Sequence, residues 1–102
     1  GFVDRYVDQY LPLIDKYLKW EEIAKRDGDI LDKRIGKAKN FALQGVKFHF
    51  YSGNSKDHFL IVGYSIDHGL AFNRIDALKL RALLVQLKDG DLQHIKYEEK
   101  YK

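Results

Sequence analysis

The sequence predicts one small α+β domain with an antiparallel β-hairpin near its middle. Apolar residues recur at helical spacing up to about residue 25, alternate between residues 46 and 66, and return to helical spacing over residues 75–87. A chain of 102 residues fits one domain. We therefore assign residues 1–102 to a single domain. Because the chain begins at Gly1 and contains no methionine, it is consistent with a domain excised from a longer chain and equally with a product of tag cleavage.

The N-terminal segment, from Phe2 to about Lys25, has the pattern of an amphipathic helix. Its apolar side chains lie three or four residues apart, at Val3, Tyr6, Val7, Tyr10, Ile14, Tyr17 and Leu18. Pro12 lies inside the pattern, where it removes a backbone donor and crowds the preceding turn. One bent helix and two short helices are both consistent with this segment.

A second helix is predicted from Ile30, after the break at residues 26–29. Asp29 is placed to cap it, and Gly45 lies where a helix end favours glycine. This helix would bury one apolar face made of Ile30, Leu31, Ile35, Ala38 and either Phe41 or Ala42.

After Gly45 the period changes from helical to alternating, which predicts two strands joined by a turn. In the first strand Val46, Phe48 and Phe50 share one side, and Lys47, His49 and Tyr51 share the other. Residues 52–57 are rich in turn formers, and the β-branched and aromatic run of residues 58–66 supplies the second strand.

Two registers of this hairpin remain open. If Tyr51 faces His58, Phe59 and Ile61 belong to the buried side. A shift by one residue reverses the faces of the second strand. Phe59 and Ile61 then join the Lys47 side, and the core receives Leu60, Val62, Tyr64 and Ile66.

The C-terminal third is predicted to contain a short strand, a long apolar helix and a terminal strand or tail. The strand covers Leu70–Phe72, and Asn73 or Asp76 caps the helix, which packs on the sheet. We expect the helix to end near Lys88, before Asp89 and Gly90. Apolar and charged residues alternate over residues 95–101, which favours an edge strand or an ordered tail.

No motif for catalysis, metal or cofactor binding is present, so we expect a protein that is not an enzyme. The chain has no cysteine. His58 and His68 lie at opposite ends of one predicted strand, roughly 30 Å apart, and cannot share an ion. His49 and His58 are diagonal neighbours if the turn centres between residues 54 and 55, but two histidines do not define a metal site. The uncharged stretches are too short for a membrane helix.

The expected function is therefore a soluble binding or regulatory module, with a protein as the favoured partner. The chain has seven tyrosines, and tyrosine combines large contact area with a polar tip at recognition surfaces. Tyr51, Tyr97 and Tyr101 have the weakest packing explanations and are the candidate contacts. An open C-terminal edge strand would also allow a homodimer.

Nucleic acid is the alternative partner, because the formal net charge is +3 and the pI is about 9.1. Lys33 and Lys37 would be neighbours on the predicted second helix, with Arg34 and Lys39 beside them. On the hairpin, Tyr51 or Tyr64 would offer a surface for a base. The polar side of that hairpin presents Lys47, His49 and Tyr51. The competing interpretation is a three-layer arrangement, in which the N-terminal helices cover that side of the hairpin and it binds no nucleic acid.

Overall fold

The computed structural model describes residues 2–39, 45–64 and 68–102, which form two helices and four strands. The α+β class is confirmed. In chain order the elements are α1 (Phe2–Asp27), β1 (Leu31–Lys39), β2 (Gly45–Ser52), β3 (His58–Gly63), β4 (Gly69–Phe72) and α2 (Arg74–Lys100).

Helix α1 confirms the predicted N-terminal helix and runs without a break through Pro12. Two short helices are therefore the wrong alternative. Its inward stripe contains Val7, Ile14, Tyr17 and Ala24, all of them buried. The helix ends at Asp27 and is followed by Gly28, whose φ of 69° lies in the left-handed region and whose N–H donates to the carbonyl of Ala24 at 2.7 Å.

The four strands form one antiparallel sheet in sequence order, so the predicted hairpin and the short strand after it are confirmed. Tyr51 lies opposite Phe59, and Phe50 lies opposite Leu60. The register in which Tyr51 faces His58 is therefore wrong, and the alternative, which places Leu60 in the core, is right. In that alternative Tyr64 was also expected in the core, but it is 54% exposed. Ile66 lies outside the described residues.

The predicted second helix is wrong, because residues 31–39 form β1, which pairs with β2 along its whole length. Asp29 therefore caps no helix, and Gly45 begins β2 rather than ending a helix. The segment is a strand instead of a helix because β2 supplies hydrogen-bonding partners for its backbone. Leu31 and Ile35 then pack in the core beneath α1. The predicted contacts of Phe41 and Ala42 lie outside the described residues.

Helix α2 begins where expected but is longer than predicted. The Asn73 side chain caps it by accepting a hydrogen bond from the N–H of Asp76 at 2.9 Å. The helix then continues through Asp89 and Gly90 to Lys100, so the terminal strand is wrong. A single glycine costs about 1 kcal/mol in a helix, which is too little to end one this long.

Both helices pack on the same side of the sheet, as the buried partners of each strand show. The helices lie antiparallel, and three acidic side chains of α1, six and seven residues apart, form ion pairs with basic side chains of α2 that are seven residues apart. These pairs are Glu21 with Arg74 at 3.0 Å, Asp15 with Arg81 at 2.7 Å and Asp8 with Lys88 at 2.7 Å. Two layers result, and the predicted three-layer arrangement is not formed by the described residues.

A buried polar cluster connects α1, β3 and α2. The carboxylate of Glu21 lies 2.9 Å from Nδ1 of His58 and 3.0 Å from the Arg74 guanidinium. The hydroxyl of Tyr17 donates to the carbonyl of His58 at 3.4 Å. Because a buried carboxylate is stable only when it is paired and hydrogen-bonded, this cluster fixes how the three elements meet.

An aromatic group fills the layer between α1 and β2. The Trp20 ring meets the ring of Phe50 nearly edge-on, with centroids 5.9 Å apart, and the ammonium of Lys16 lies 5.0 Å from the Trp20 centroid. Tyr17 contacts the same phenylalanine at 5.9 Å. Phe50 is thus the centre of the covered side of the sheet.

Gly63 and Gly90 differ in how much space surrounds the position that a Cβ would take. At Gly63 an added Cβ would lie 2.5 Å from the backbone of both His68 and Gly69, whereas at Gly90 it would meet nothing within 4 Å. We expect Gly63→Ala to lower the free energy of unfolding by about 1–3 kcal/mol. Gly90→Ala should raise it by about 0.5–1 kcal/mol, because alanine favours the helix. Urea unfolding measures both, and equal effects would contradict this reading of the backbone.

The environment of Tyr17 predicts an alkaline loss of stability. Burial, and secondly the negative charge of Glu21, raise the pKa of Tyr17 from 10.0 to about 12. The folded state therefore favours the neutral phenol, a contribution fully present below pH 10 and lost between pH 10 and 12. We expect this loss to be on the order of 2 kcal/mol and smaller in Tyr17→Phe. Tyr101→Phe, which alters an exposed tyrosine, should show the same loss of stability as the original protein. Urea unfolding between pH 10 and 12 measures the free energy of unfolding of all three proteins.

Candidate functional site

The side of the sheet opposite the helices is covered by no described element, and we call it the open face. Residues paired across antiparallel strands point to the same side, so the register identifies its members. The strands contribute to it Asp32, Arg34, Lys37 and Lys39 from β1, Lys47, His49 and Tyr51 from β2, Phe59 and Ile61 from β3, and Ala71 from β4.

A β-bulge in β1 brings Arg34 and Lys37 to the same face. The pairing with β2 shifts between Arg34 and Gly36, and both Ile35 and Gly36 point towards α1. Residues three apart would otherwise point to opposite sides of a strand. Glycine suits this position because an added Cβ would lie 2.5 Å from the Leu13 side chain of α1.

Two cations of the open face lie directly opposite each other, because Lys37 is the partner of Lys47. Arg34 lies opposite the imidazole of His49, and Lys39 lies opposite Gly45. The Lys37 side chain lies over Gly45, where a Cβ would collide with it. Like charges directly opposite each other in a sheet are destabilising, so this arrangement lowers the stability of the free protein.

Within the described residues, the four cations of this face have no carboxylate partner. These are Arg34, Lys37, Lys39 and Lys47. The single acid of the face, Asp32, lies 3.9 Å from Nδ1 of His49. Four cations less one carboxylate give the open face a formal charge of +3, which equals the net charge of the whole chain. By contrast, the guanidinium groups of Arg74 and Arg81 are paired with acids of α1.

An aromatic pair adjoins these cations. The rings of Tyr51 and Phe59 stack across β2 and β3 with centroids 6.3 Å apart and an interplanar angle of 29°. Tyr51 is 40% exposed, and Phe59 and Ile61 are half-buried although no described element lies over them. The open face therefore joins a positively charged half with an aromatic and aliphatic half.

Six of the residues singled out from the sequence meet on this face, namely Arg34, Lys37, Lys39, Lys47, His49 and Tyr51. Lys33 does not join them. It lies opposite Phe50 and borders an apolar cleft of about 270 Å³ on the covered side, beside Trp20. The predicted proximity of Lys33 to Lys37 on a helix is therefore wrong.

Tyr97 and Tyr101 lie far along α2 and at its end, away from the open face, and both are exposed. Sequence reasoning did not select Phe59 and Ile61 as contacts. The signal for them was present in the second of the two registers, which places both on the Lys47 side.

The histidines form no shared site. His49 lies on the open face, while His58 lies opposite Ser52 on the covered side, so they are not the diagonal neighbours that one turn position predicts. Among the described residues, no group of three or more histidine, aspartate or glutamate side chains could hold a metal ion. None of the described helices combines the length and apolar character needed to cross a membrane.

Fold and site together define a two-layer α+β domain with a basic, partly aromatic open sheet face. No family model matches the chain, and comparisons with curated proteins and with solved structures found no match.

Repulsion across the β1–β2 ladder predicts that one charge reversal will stabilise the protein. We expect Lys47→Glu to raise the free energy of unfolding by roughly 0.2–1 kcal/mol at low salt, because it places a carboxylate opposite Lys37. The gain should shrink at high salt. Lys102→Glu changes the net charge equally but lies beyond α2, and should have little effect in urea unfolding. A loss of stability in Lys47→Glu would contradict the described pairing.

Proposed function

We propose that this domain is a non-catalytic binding module whose open face takes up single-stranded nucleic acid. The observation that carries the proposal is the group of four unpaired cations facing solvent beside the stacked Tyr51 and Phe59 rings. Phosphates favour clustered lysine and arginine, and unpaired bases favour exposed aromatic faces.

The arrangement of charge supports an anionic partner rather than a merely solvated surface. Lys37 and Lys47 face each other across neighbouring strands, which costs the free protein stability. A phosphate placed between them would turn that repulsion into two attractive contacts. In the helix layer, the guanidinium groups of Arg74 and Arg81 already have carboxylate partners and therefore offer less to an anion.

The shape of the face favours a single strand over a duplex. Tyr51 is exposed at the end of β2, and Phe59 and Ile61 continue the apolar surface beside it. An unpaired base can stack on such a surface, while the bases of a duplex are already stacked inside it. The described residues of this face include no projecting helix or loop that would enter a groove.

The test is a fluorescence-anisotropy titration with labelled oligonucleotides of about ten nucleotides, single-stranded and duplex, at several salt concentrations. We expect tighter binding to the single strand. Lys37→Ala and Lys47→Ala should each lower the salt slope by about 0.7. Tyr51→Ala should weaken binding by about 1–3 kcal/mol.

The matched control is Lys33→Ala, which removes a lysine from the same strand but from the covered side. It should leave affinity and salt slope nearly unchanged. Equal losses in Lys33→Ala and Lys37→Ala would show general electrostatic attraction instead of a site. Absence of binding at low salt would reject nucleic acid as the partner.

A protein partner is the second candidate, supported by the exposure of Tyr97 and Tyr101 on the far end of α2. Aromatic anchors dominate protein interfaces, whose affinity depends less on salt. If the oligonucleotide titration is negative, these two tyrosines are the residues to alter in a search for protein partners.

A further inference from the structure

The two edges of the sheet differ in how they are protected. The outer strand β1 carries charged residues along its length, and charge on an edge strand discourages pairing with another chain. The other outer strand, β4, has the sequence Gly-Leu-Ala-Phe and carries no charge. Leu70, in its middle, is 69% exposed. No strand among the described residues pairs with this edge, so within residues 2–39, 45–64 and 68–102 its outer backbone groups lie unprotected next to apolar side chains.

A groove runs between this edge and α2. Its walls include Leu70, Phe72 and Leu83, its volume is about 330 Å³, and Leu83 is 57% exposed. Asp76 and Lys79 also line it. Neither of these two side chains has an ion-pair partner within the described residues.

An unpaired carboxylate and an unpaired ammonium in one groove make the surface complementary to itself. A two-fold axis presents the same patch from both sides, so each contact occurs twice. A contact between Asp76 of one copy and Lys79 of the other would therefore form twice. A partner of one charge sign would satisfy only one of the two groups.

We propose that the β4 edge and this groove bind a second copy of the chain. The two β4 strands pair antiparallel about a two-fold axis, with Ala71 opposite Ala71 of the second copy and Leu70 opposite its Phe72. Paired residues share a face, so the helices of both copies stay on one side of an eight-stranded sheet. The two open faces then become one continuous surface, although the pairing itself does not rest on the nucleic-acid proposal.

Sedimentation equilibrium of the nucleic-acid-free protein over a range of concentrations tests this pairing. We expect a reversible monomer–dimer equilibrium. Leu70→Lys should raise the dimer dissociation constant at least about tenfold, because it sets two lysines near each other at the edge. Ile30→Lys is the matched control, since Ile30 is 79% exposed but lies in the connection between α1 and β1. It should leave the equilibrium unchanged.

Reversing the charges of Asp76 and Lys79 in separate variants distinguishes the proposed dimer from other contacts between copies. Asp76→Lys and Lys79→Asp should each be monomeric when alone, because each sets like charges against each other. An equimolar mixture of the two variants should form a heterodimer, and circular dichroism of each variant checks that the fold is retained. A monomer at every concentration of the original protein, a dimer that Leu70→Lys leaves intact, or a mixture that stays monomeric would overturn the proposal.

Discussion

The antiparallel contact between α1 and α2 determines which side of the sheet is covered. Ile14 and Ala77 are fully buried in the layer that the helices share with the sheet, and three ion pairs join the two helices beside it. The two exposed pairs, Asp15 with Arg81 and Asp8 with Lys88, each contribute only about 0–1 kcal/mol, so apolar burial supplies most of the stabilisation and these pairs mainly set the register. Because the helices lie side by side on one face, the described residues leave the other face to solvent.

The parts of the fold that local patterns determine were predictable. The helical stripe of α1 and the alternation around the β2–β3 turn each survive in the structure, because neighbouring residues alone dictate which side chains share a face. Residues 31–39 were not predictable in this way. Their charges at helical spacing suit a helix, and only the backbone of β2, supplied from elsewhere in the chain, makes a strand the better choice. At the C-terminus, Gly90 suggested an end that its small cost in a long helix does not impose.

The candidate site shows the same division between local and distant causes. Lys47, His49 and Tyr51 alternate along one strand, so their common face follows from the sequence alone. Arg34 and Lys37 reach that face only through the bulge beside Gly36, which depends on the close approach of α1. No pattern in the sequence predicts this β-bulge. Lys33 lies on the other side from Arg34 because neighbouring residues of a strand alternate, and the bulge separates it from Lys37 as well.

The position of the single tryptophan has a practical consequence. Trp20 lies on the covered side against Phe50, and a ligand on the open face would be separated from the indole by the thickness of the sheet. Its ultraviolet emission should therefore follow the docking of α1 on the sheet and be largely insensitive to occupancy of the opposite surface. The protein thus contains an intrinsic optical probe that distinguishes unfolding from ligand uptake without an added label.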